Sequence, residues 1–145
     1  MSWRRLLVWG AASLGAVFLL IQLVPYGWHH PNPPVTDPAA WPNAEAEQLA
    51  RAACYDCHSN ETDWPIYSYV APMSWLVRRD VESGRDELNF SEWERHHSEA
   101  DDAAESIQDG SMPPRQYRLM HPDARLSEAE RALLIDALLE MDRRR

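Results

Sequence analysis

The longest apolar run in the chain lies close to its N-terminus. Leu6 to Val24 covers nineteen residues without a charged side chain, close to the ~20 residues with which a helix crosses a bilayer. Arg4 and Arg5 precede the run, and no basic residue follows it until Arg51. Because basic residues mark the cytoplasmic end of such helices, the pattern predicts a transmembrane helix whose C-terminal side is exported.

A cleaved signal peptide is the competing interpretation of this run. Its apolar core would be shorter, at ~7–15 residues, and would end in a small-x-small cleavage site. Here the run ends in the sequence VPYGW at residues 24–28, which offers no such site. We therefore expect an uncleaved signal-anchor, with a cytoplasmic stub and membrane span in residues 1–24 and the membrane contact in residues 6–24.

Residues 25–42 form a proline-rich segment with six prolines. Proline fixes the backbone, so we expect a stiff, extended linker. His29 and His30 lie in it, and we interpret them as interfacial or solvated because a linker gives no geometry to hold a ligand. The remaining residues, 43–145, form the predicted globular domain.

Polar caps and apolar residues at helical spacing predict helices in this domain, and no convincing strand pattern flanks its cysteines. The capping box Ser127-x-x-Glu130 begins the last helix. The predicted helices are one capped by Asn43, one over Ser74–Ser83 stopped by Gly84, one over Glu92–Asp109 capped by Ser91 and ended by Gly110, and the one that Ser127 begins. The fold class is therefore all-α.

Charge narrows the range of partners. Two of the 14 basic residues precede residue 25, so residues 25–145 hold 12 arginines against 23 acidic residues, a formal charge of −11. This argues against nucleic acid, whose phosphates require a basic surface. It is compatible with a basic redox partner steered by long-range attraction, and equally with acids that only keep a small domain soluble.

The candidate chemistry lies in Cys54-Tyr55-Asp56-Cys57-His58, which has the C-x-x-C-H attachment pattern of a c-type haem. Each thiol can add across one vinyl group of a single porphyrin, and the adjacent His58 then ligates the iron as the proximal axial ligand. Cys54 and Cys57 are the only cysteines. We expect one covalent haem c.

Two other uses of these residues are weighed. A disulfide at this spacing would be of the redox-active thioredoxin type, which needs no following histidine. A zinc site is the non-haem alternative, but the adjacent Cys57 and His58 are awkward ligands for one tetrahedral ion.

Met112 is our candidate for the distal iron ligand. It follows Gly110, which ends a helix, and precedes two prolines that fix the backbone presenting the thioether. A soft thioether opposite imidazole is the ligation of many cytochromes c. We interpret Met73, Met120 and Met141 as core residues.

Histidines are the other distal candidates. His121 is the best of them, while His96 and His97 are interpreted as exposed partners of carboxylates.

Aromatic rings and one arginine complete the expected haem surroundings. Arg115, next to the Met112 loop, is the candidate propionate partner. The rings could line the porphyrin or simply fill the core; they are Trp64, Tyr67, Tyr69, Trp75, Trp93 and Tyr117.

Several separated motifs together resemble the bacterial haem-binding domain family related to cytochrome c. They are CYDCHSNET at 54–62, WP-x-YS at 64–68, AP-x-SW at 71–75, GR at 84–85, LNFS-x-W at 88–93 and G-x-MPP at 110–114. The resemblance spans about residues 44–141. It implies a cytochrome c-like fold wrapped round one covalent haem, attachment at Cys54 and Cys57, and proximal ligation by His58. Likeness to the G-x-M-P loops of class I cytochromes c also supports Met112.

The leading functional hypothesis is a single-haem electron carrier, rather than an enzyme, tethered to the bacterial cytoplasmic membrane with its domain in the periplasm. A haem-based sensor or gas-binding module is the second hypothesis, in which Met112 is absent from the iron or easily displaced. A small peroxidase is the third, and it requires an open distal site with an acid–base histidine over the iron.

Overall fold

The computed structural model describes residues 2–144, in which 65% of the residues are helical and no β-strand is present. This confirms the all-α prediction. Short 3-10 segments lie at Ile66–Tyr69, His97–Glu99 and Pro122–Ala124. The α-helices are α1 Trp3–Ile21, α2 Ala44–Ala53, α3 Tyr55–His58, α4 Met73–Glu87, α5 Trp93–His96, α6 Ala100–Gln108, α7 Arg115–Met120 and α8 Glu128–Arg143. They belong to two compact units, the first of residues up to 30 with 64–79, the second of residues 31–63 with those from 80 onward.

The apolar helix of the first unit is long and apolar enough to cross a membrane. It buries none of its side chains. It ends three residues earlier than the apolar run because the chain tightens there, with the N–H groups of Leu23 and Val24 donating to carbonyls three residues back. A signal sequence meets the same criterion of length and composition.

The rest of the first unit is joined to the end of α1 by side-chain hydrogen bonds. The Gln22 amide donates to the Ala71 carbonyl (3.0 Å) and accepts from the Ala71 N–H (2.9 Å). Gly27 has a φ of +84°, and a Cβ there would lie 2.6 Å from the Ser74 carbonyl oxygen. Only glycine fits this turn, because a side chain would be strained in φ and would also meet backbone.

His30 is not solvated, which corrects the interpretation made from the sequence. It is half-buried, and its Nε2–H donates to the Ser68 carbonyl at 3.0 Å. Its ring lies 4.6 Å from that of Trp64 and 4.1 Å from that of Tyr69. The partners come from residues 64–69, which are distant in sequence, so a local reading of the proline-rich segment could not find them.

In the second unit, α6 packs along α8, and α2 contacts α8. The shared core contains Ala50, Tyr55, Leu88, Phe90, Ala104, Ile107, Leu134 and Leu138. Residues 36–39 pass along it in extended form: the N–H groups of Thr36 and Asp37 donate to the Ser91 carbonyl, and the Ala39 N–H donates to that of Phe90. The later part of the proline-rich segment is therefore paired with the globular fold.

The predicted caps at both ends of this unit are confirmed. Asn43 Oδ1 accepts from the Ala46 N–H at 2.8 Å, and Ser127 forms the full capping box with Glu130. The prediction of one long helix over Glu92–Asp109 is wrong. The segment is divided into α5, a 3-10 turn and α6. The Ser91 hydroxyl accepts from the Asn60 N–H and does not cap a helix.

Candidate functional site

Cys54 and Cys57 lie at the junction of α2 and α3. The Cys54 N–H donates to the Ala50 carbonyl, and the Cys54 carbonyl accepts from the N–H groups of Cys57 (3.1 Å) and His58 (2.8 Å). Both cysteines and the histidine therefore lie on a single helical turn. Neither cysteine is in a disulfide, and both are half-buried.

The thiols are not set up for thiol–disulfide chemistry. Burial raises the pKa of Cys54 and of Cys57 to about 12 in each case. For Cys54 the neighbouring Cys57 adds to the shift, and for Cys57 the carboxylates of Asp56 and Asp80 do. A redox-active pair of the thioredoxin type requires the opposite, a lowered thiol pKa. The environment therefore disfavours the disulfide alternative.

His58 has one ring nitrogen committed to the protein. Its Nδ1–H donates to the Leu88 carbonyl at 3.1 Å. Burial lowers the pKa of His58, while the Leu88 and Gly84 carbonyls and the Glu87 charge oppose this. The imidazole is therefore neutral at physiological pH, with its lone pair on Nε2. This is the tautomer in which histidine ligates a metal, and the carbonyl partner also fixes the plane of the ring.

The backbone that follows His58 is held by residues 88–91. The Phe90 N–H donates to the His58 carbonyl at 2.8 Å. The Asn89 amide donates to Asn60 Oδ1 at 2.9 Å, and the Asn60 N–H donates to Ser91 Oγ at 2.9 Å. Since Asn60, Asn89 and Ser91 are buried, these polar groups depend on one another for hydrogen bonds. They fix the position from which His58 projects.

Arg85 makes the densest set of hydrogen bonds around the site. Its guanidinium donates to the carbonyl of Ser59 (2.7 Å) and the hydroxyl of Thr62 (2.8 Å). It also donates to the carbonyl of Pro31 (2.9 Å) and the side chain of Asn32 (3.0 Å). The rigid fork of guanidinium donors suits such a multiple contact. Arg85 thus connects the loop after His58 with the start of the extended segment, a role that sequence reasoning missed.

Gly84 does not stop α4, contrary to the sequence prediction. The helix continues to Glu87, and Gly84 is buried inside it. A Cβ at this position would lie 2.5 Å from the carbonyl oxygen of Cys57 and 2.9 Å from its carbonyl carbon. The glycine therefore allows α4 to approach the backbone of the cysteine motif, and this packing need outweighs its helix-breaking tendency.

Asp56, between the two cysteines, anchors a further contact. The Tyr117 hydroxyl donates to Asp56 Oδ2 at 2.7 Å, and the ring of Tyr117 stacks on that of His121 with centroids 4.1 Å apart. Burial, followed by the Asp56 charge, raises the pKa of Tyr117. The phenol therefore keeps its proton and its hydrogen bond at neutral pH.

The aromatic cluster of this unit differs from the expected one. Phe90 lies at its centre, with the rings of Tyr55 at 5.3 Å, Trp41 at 5.1 Å and Trp93 at 5.9 Å. The indole N–H of Trp41 donates to the Tyr55 hydroxyl at 3.1 Å. Of the rings that the sequence singled out, Trp93 belongs to this cluster. Trp41, Tyr55 and Phe90 were missed, although Tyr55 lies inside the cysteine motif.

Met112 lies in the predicted loop after Gly110, whose φ is +82°. Its N–H donates to the Ser106 carbonyl at 3.0 Å. The side chain is half-buried against the same core on which Cys54 packs. Arg115 begins α7 and is exposed. Iron ligation by Met112 and propionate binding by Arg115 stay predictions.

Most of the remaining methionines and histidines differ in burial from what the sequence suggested. Met141 is buried in the core as expected, but Met73 and Met120 are exposed, so their interpretation as core residues is wrong. His96 and His97 are half-buried rather than exposed, and the His96 Nδ1–H donates to the Glu87 carbonyl.

Within residues 2–144 the structure has no group of three or more His, Cys, Asp or Glu side chains placed to hold a metal ion. The zinc alternative therefore has no ligand set in the described part of the chain.

Comparison with known proteins adds one finding. The model of a family described as a haem-binding domain matches residues 16–140, from the second half of α1 into α8. No curated protein and no solved structure gives a significant match to the chain.

Proposed function

The chain belongs to the haem-binding domain family, and from that premise we propose that it is a membrane-tethered c-type cytochrome with one covalent haem. It acts as a one-electron carrier on the exported side of the membrane. The observation that carries this proposal is the environment of His58, a buried imidazole whose Nδ1–H donates to the Leu88 carbonyl and whose pKa is lowered by burial, so that the ring is neutral.

The residues of the cysteine motif fit covalent attachment. Cys54 and Cys57 lie on the same helical turn as His58. One short segment would therefore hold the haem through two thioethers and the His58 imidazole. Their protonated thiols suit addition to vinyl groups, in which the thiol hydrogen and sulfur both end on the product. The close approach of α4 at Gly84 and the Asp56–Tyr117 hydrogen bond position this segment from two directions.

A bound haem supplies a reversible one-electron change at its iron. The surrounding residues would keep the two proposed iron ligands, His58 and Met112, in fixed positions. His58 is fixed through Leu88 and Phe90, and Met112 is held by its backbone bond to Ser106. We propose Met112 as the distal ligand and Arg115 as a propionate partner. The aromatic cluster around Phe90 keeps water from the core beside the motif.

Two features support the cellular setting. α1 is long and apolar enough to span a membrane, and Arg4 and Arg5 at its start favour a cytoplasmic N-terminus. The acidic charge of the exported part favours a basic redox partner. We propose that in a bacterial cell the domain lies in the periplasm, anchored to the cytoplasmic membrane.

The distal ligand separates the carrier from the alternative functions. We expect Met112→Ala to lower the reduction potential and to give a high-spin iron, because the thioether stabilises the ferrous state and completes a low-spin coordination. Met120→Ala is the matched control, since Met120 is 56% exposed on α7. Absorption spectra of the oxidised and reduced mature protein and a redox titration measure both properties.

Contrary outcomes lead to different conclusions. An unchanged spectrum and potential in Met112→Ala would remove the ligand assignment, and His121→Ala would then be tested in the same way. Rapid carbon monoxide binding by the reduced wild-type protein would indicate an open iron. The sensor or peroxidase would then replace the carrier.

A further inference from the structure

The first unit carries an apolar surface that the proposed haem function does not use. It lies in residues 64–77, which hold fourteen consecutive residues without a charged side chain. Ile66 is 87% exposed and Tyr69 60%, and Val70 and Met73 are also exposed. We name these four residues the apolar loop face. Exposed apolar side chains grouped within eight residues of sequence favour a surface that is covered in the working protein.

The apolar loop face is fixed to the end of the membrane-spanning helix. Gln22, one residue beyond α1, bonds both the N–H and the carbonyl of Ala71, inside the loop. Leu23 and Val24, which continue from α1, are exposed as well. The apolar surface of α1 and that of the loop therefore meet at Gln22, within one compact unit.

The first unit also differs from the rest of the chain in charge. The first unit contains Arg4, Arg5, Arg78 and Arg79 and none of the 23 acidic residues of the chain. Arg78 and Arg79 directly follow the uncharged segment, and Arg79 is exposed. Anionic headgroups attract basic residues near the membrane surface.

The first unit also carries exposed tyrosine and tryptophan side chains of the kind found at the membrane–water interface. Tyr26, Trp28 and Tyr69 are exposed in this unit. Tyr26 and Trp28 follow the end of α1 in sequence, and the ring of Tyr69 contacts that of His30. Tyrosine and tryptophan are enriched at the membrane–water interface, where an apolar ring and a polar tip are both satisfied.

We propose that the apolar loop face is inserted into the outer interfacial layer of the bilayer beside α1, with Arg78 and Arg79 at the level of the lipid phosphates. The occupant of this surface is therefore lipid, and the chain has a second membrane contact besides its span. Interfacial segments of this type sit about 5–10 Å into the headgroup and acyl boundary. The inference rests on the proposed membrane span of α1.

Photo-crosslinking of the full mature chain in phospholipid nanodiscs tests the inference. The photoreactive residue p-benzoylphenylalanine replaces Ile66, or Val17 within α1, or Leu119 in the second unit, which is 64% exposed and apolar. After illumination, intact-mass spectrometry measures the fraction of chain carrying a lipid adduct. We expect adduct yields at positions 66 and 17 within about twofold of each other, and at least tenfold above that at position 119.

The three positions separate the possible failures. Adducts at position 17 without adducts at position 66 would overturn the inference and leave the membrane span intact. An absence of adducts at both positions would overturn the span and the inference together. Equal yields at positions 66 and 119 would show that contact at 66 is unspecific and would also overturn the inference.

Discussion

Gly84→Ala is the substitution that tests the packing of the site most sharply, because two physical effects act on it with opposite signs. On helix propensity alone, alanine would stabilise α4 by about 1 kcal/mol relative to glycine. The structure predicts the reverse. The new Cβ would lie 2.5 Å from the Cys57 carbonyl oxygen, closer than real contacts allow.

The size of the effect follows from which atoms are close. Overpacking costs about 1–3 kcal/mol, and the upper end applies because the nearest atoms are backbone of the cysteine motif rather than the end of a flexible side chain. After the gain in helix propensity, we expect a net loss of about 2 kcal/mol in the free energy of unfolding. We also expect a smaller fraction of the chain to carry haem after maturation, since the motif itself has to shift.

Guanidinium unfolding of the mature protein in detergent, followed by circular dichroism, measures the change through the midpoint at constant slope. Ser83→Ala is the matched control. Ser83 is the preceding residue of α4 and is exposed, so this substitution should raise stability by up to about 0.5 kcal/mol through propensity alone. A Gly84→Ala protein as stable as wild type, or more stable, would refute the close approach of α4 to the motif.

Two further substitutions probe contacts around the motif. Arg85→Lys should lower the free energy of unfolding by about 2–3 kcal/mol in the same unfolding assay, because an ammonium group cannot reproduce the four hydrogen bonds of the guanidinium. The control Arg95→Lys, at an exposed position, should change it by less than about 0.5 kcal/mol. Equal effects of the two substitutions would contradict the role of Arg85. The pKa of Tyr117 is raised above its ordinary value of 10.0. Below about pH 10 its hydroxyl therefore contributes fully to the free energy of unfolding. As the pH rises further this contribution is lost, at up to about 1.4 kcal/mol per pH unit. Tyr117→Phe should therefore lose stability less steeply above about pH 10 than wild type does. Identical slopes in the two proteins would refute the buried Asp56–Tyr117 bond.

Local signals in the sequence predicted the parts of the fold that depend on neighbouring residues. The Asn43 cap and the Ser127–Glu130 capping box require groups only three residues apart, and both are present. The apolar helix at the N-terminus is also a local pattern and was found within three residues of its end. The positions of Cys54 and Cys57 on one turn follow from their spacing.

Contacts between distant segments were beyond such reasoning. Gly84 looks like a helix stop in sequence, yet its role depends on Cys57, twenty-seven residues away. His30 looked solvated because its partners, Ser68 and Trp64, lie in another segment. The carbonyl that orients His58 belongs to Leu88, and a backbone acceptor leaves no mark in the side-chain pattern.

The most direct test of the central claim is the mass of the mature polypeptide after acid–acetone extraction, which removes haem that is not covalently bound. The full chain would be expressed with a cytochrome c maturation system, beside a Cys54→Ala, Cys57→Ala variant as control. We predict that the wild-type chain retains the mass of one haem and stays coloured, while the double variant retains none. A wild-type chain that loses all its haem on extraction would contradict covalent attachment, and a chain that is colourless after confirmed maturation would contradict the account as a whole.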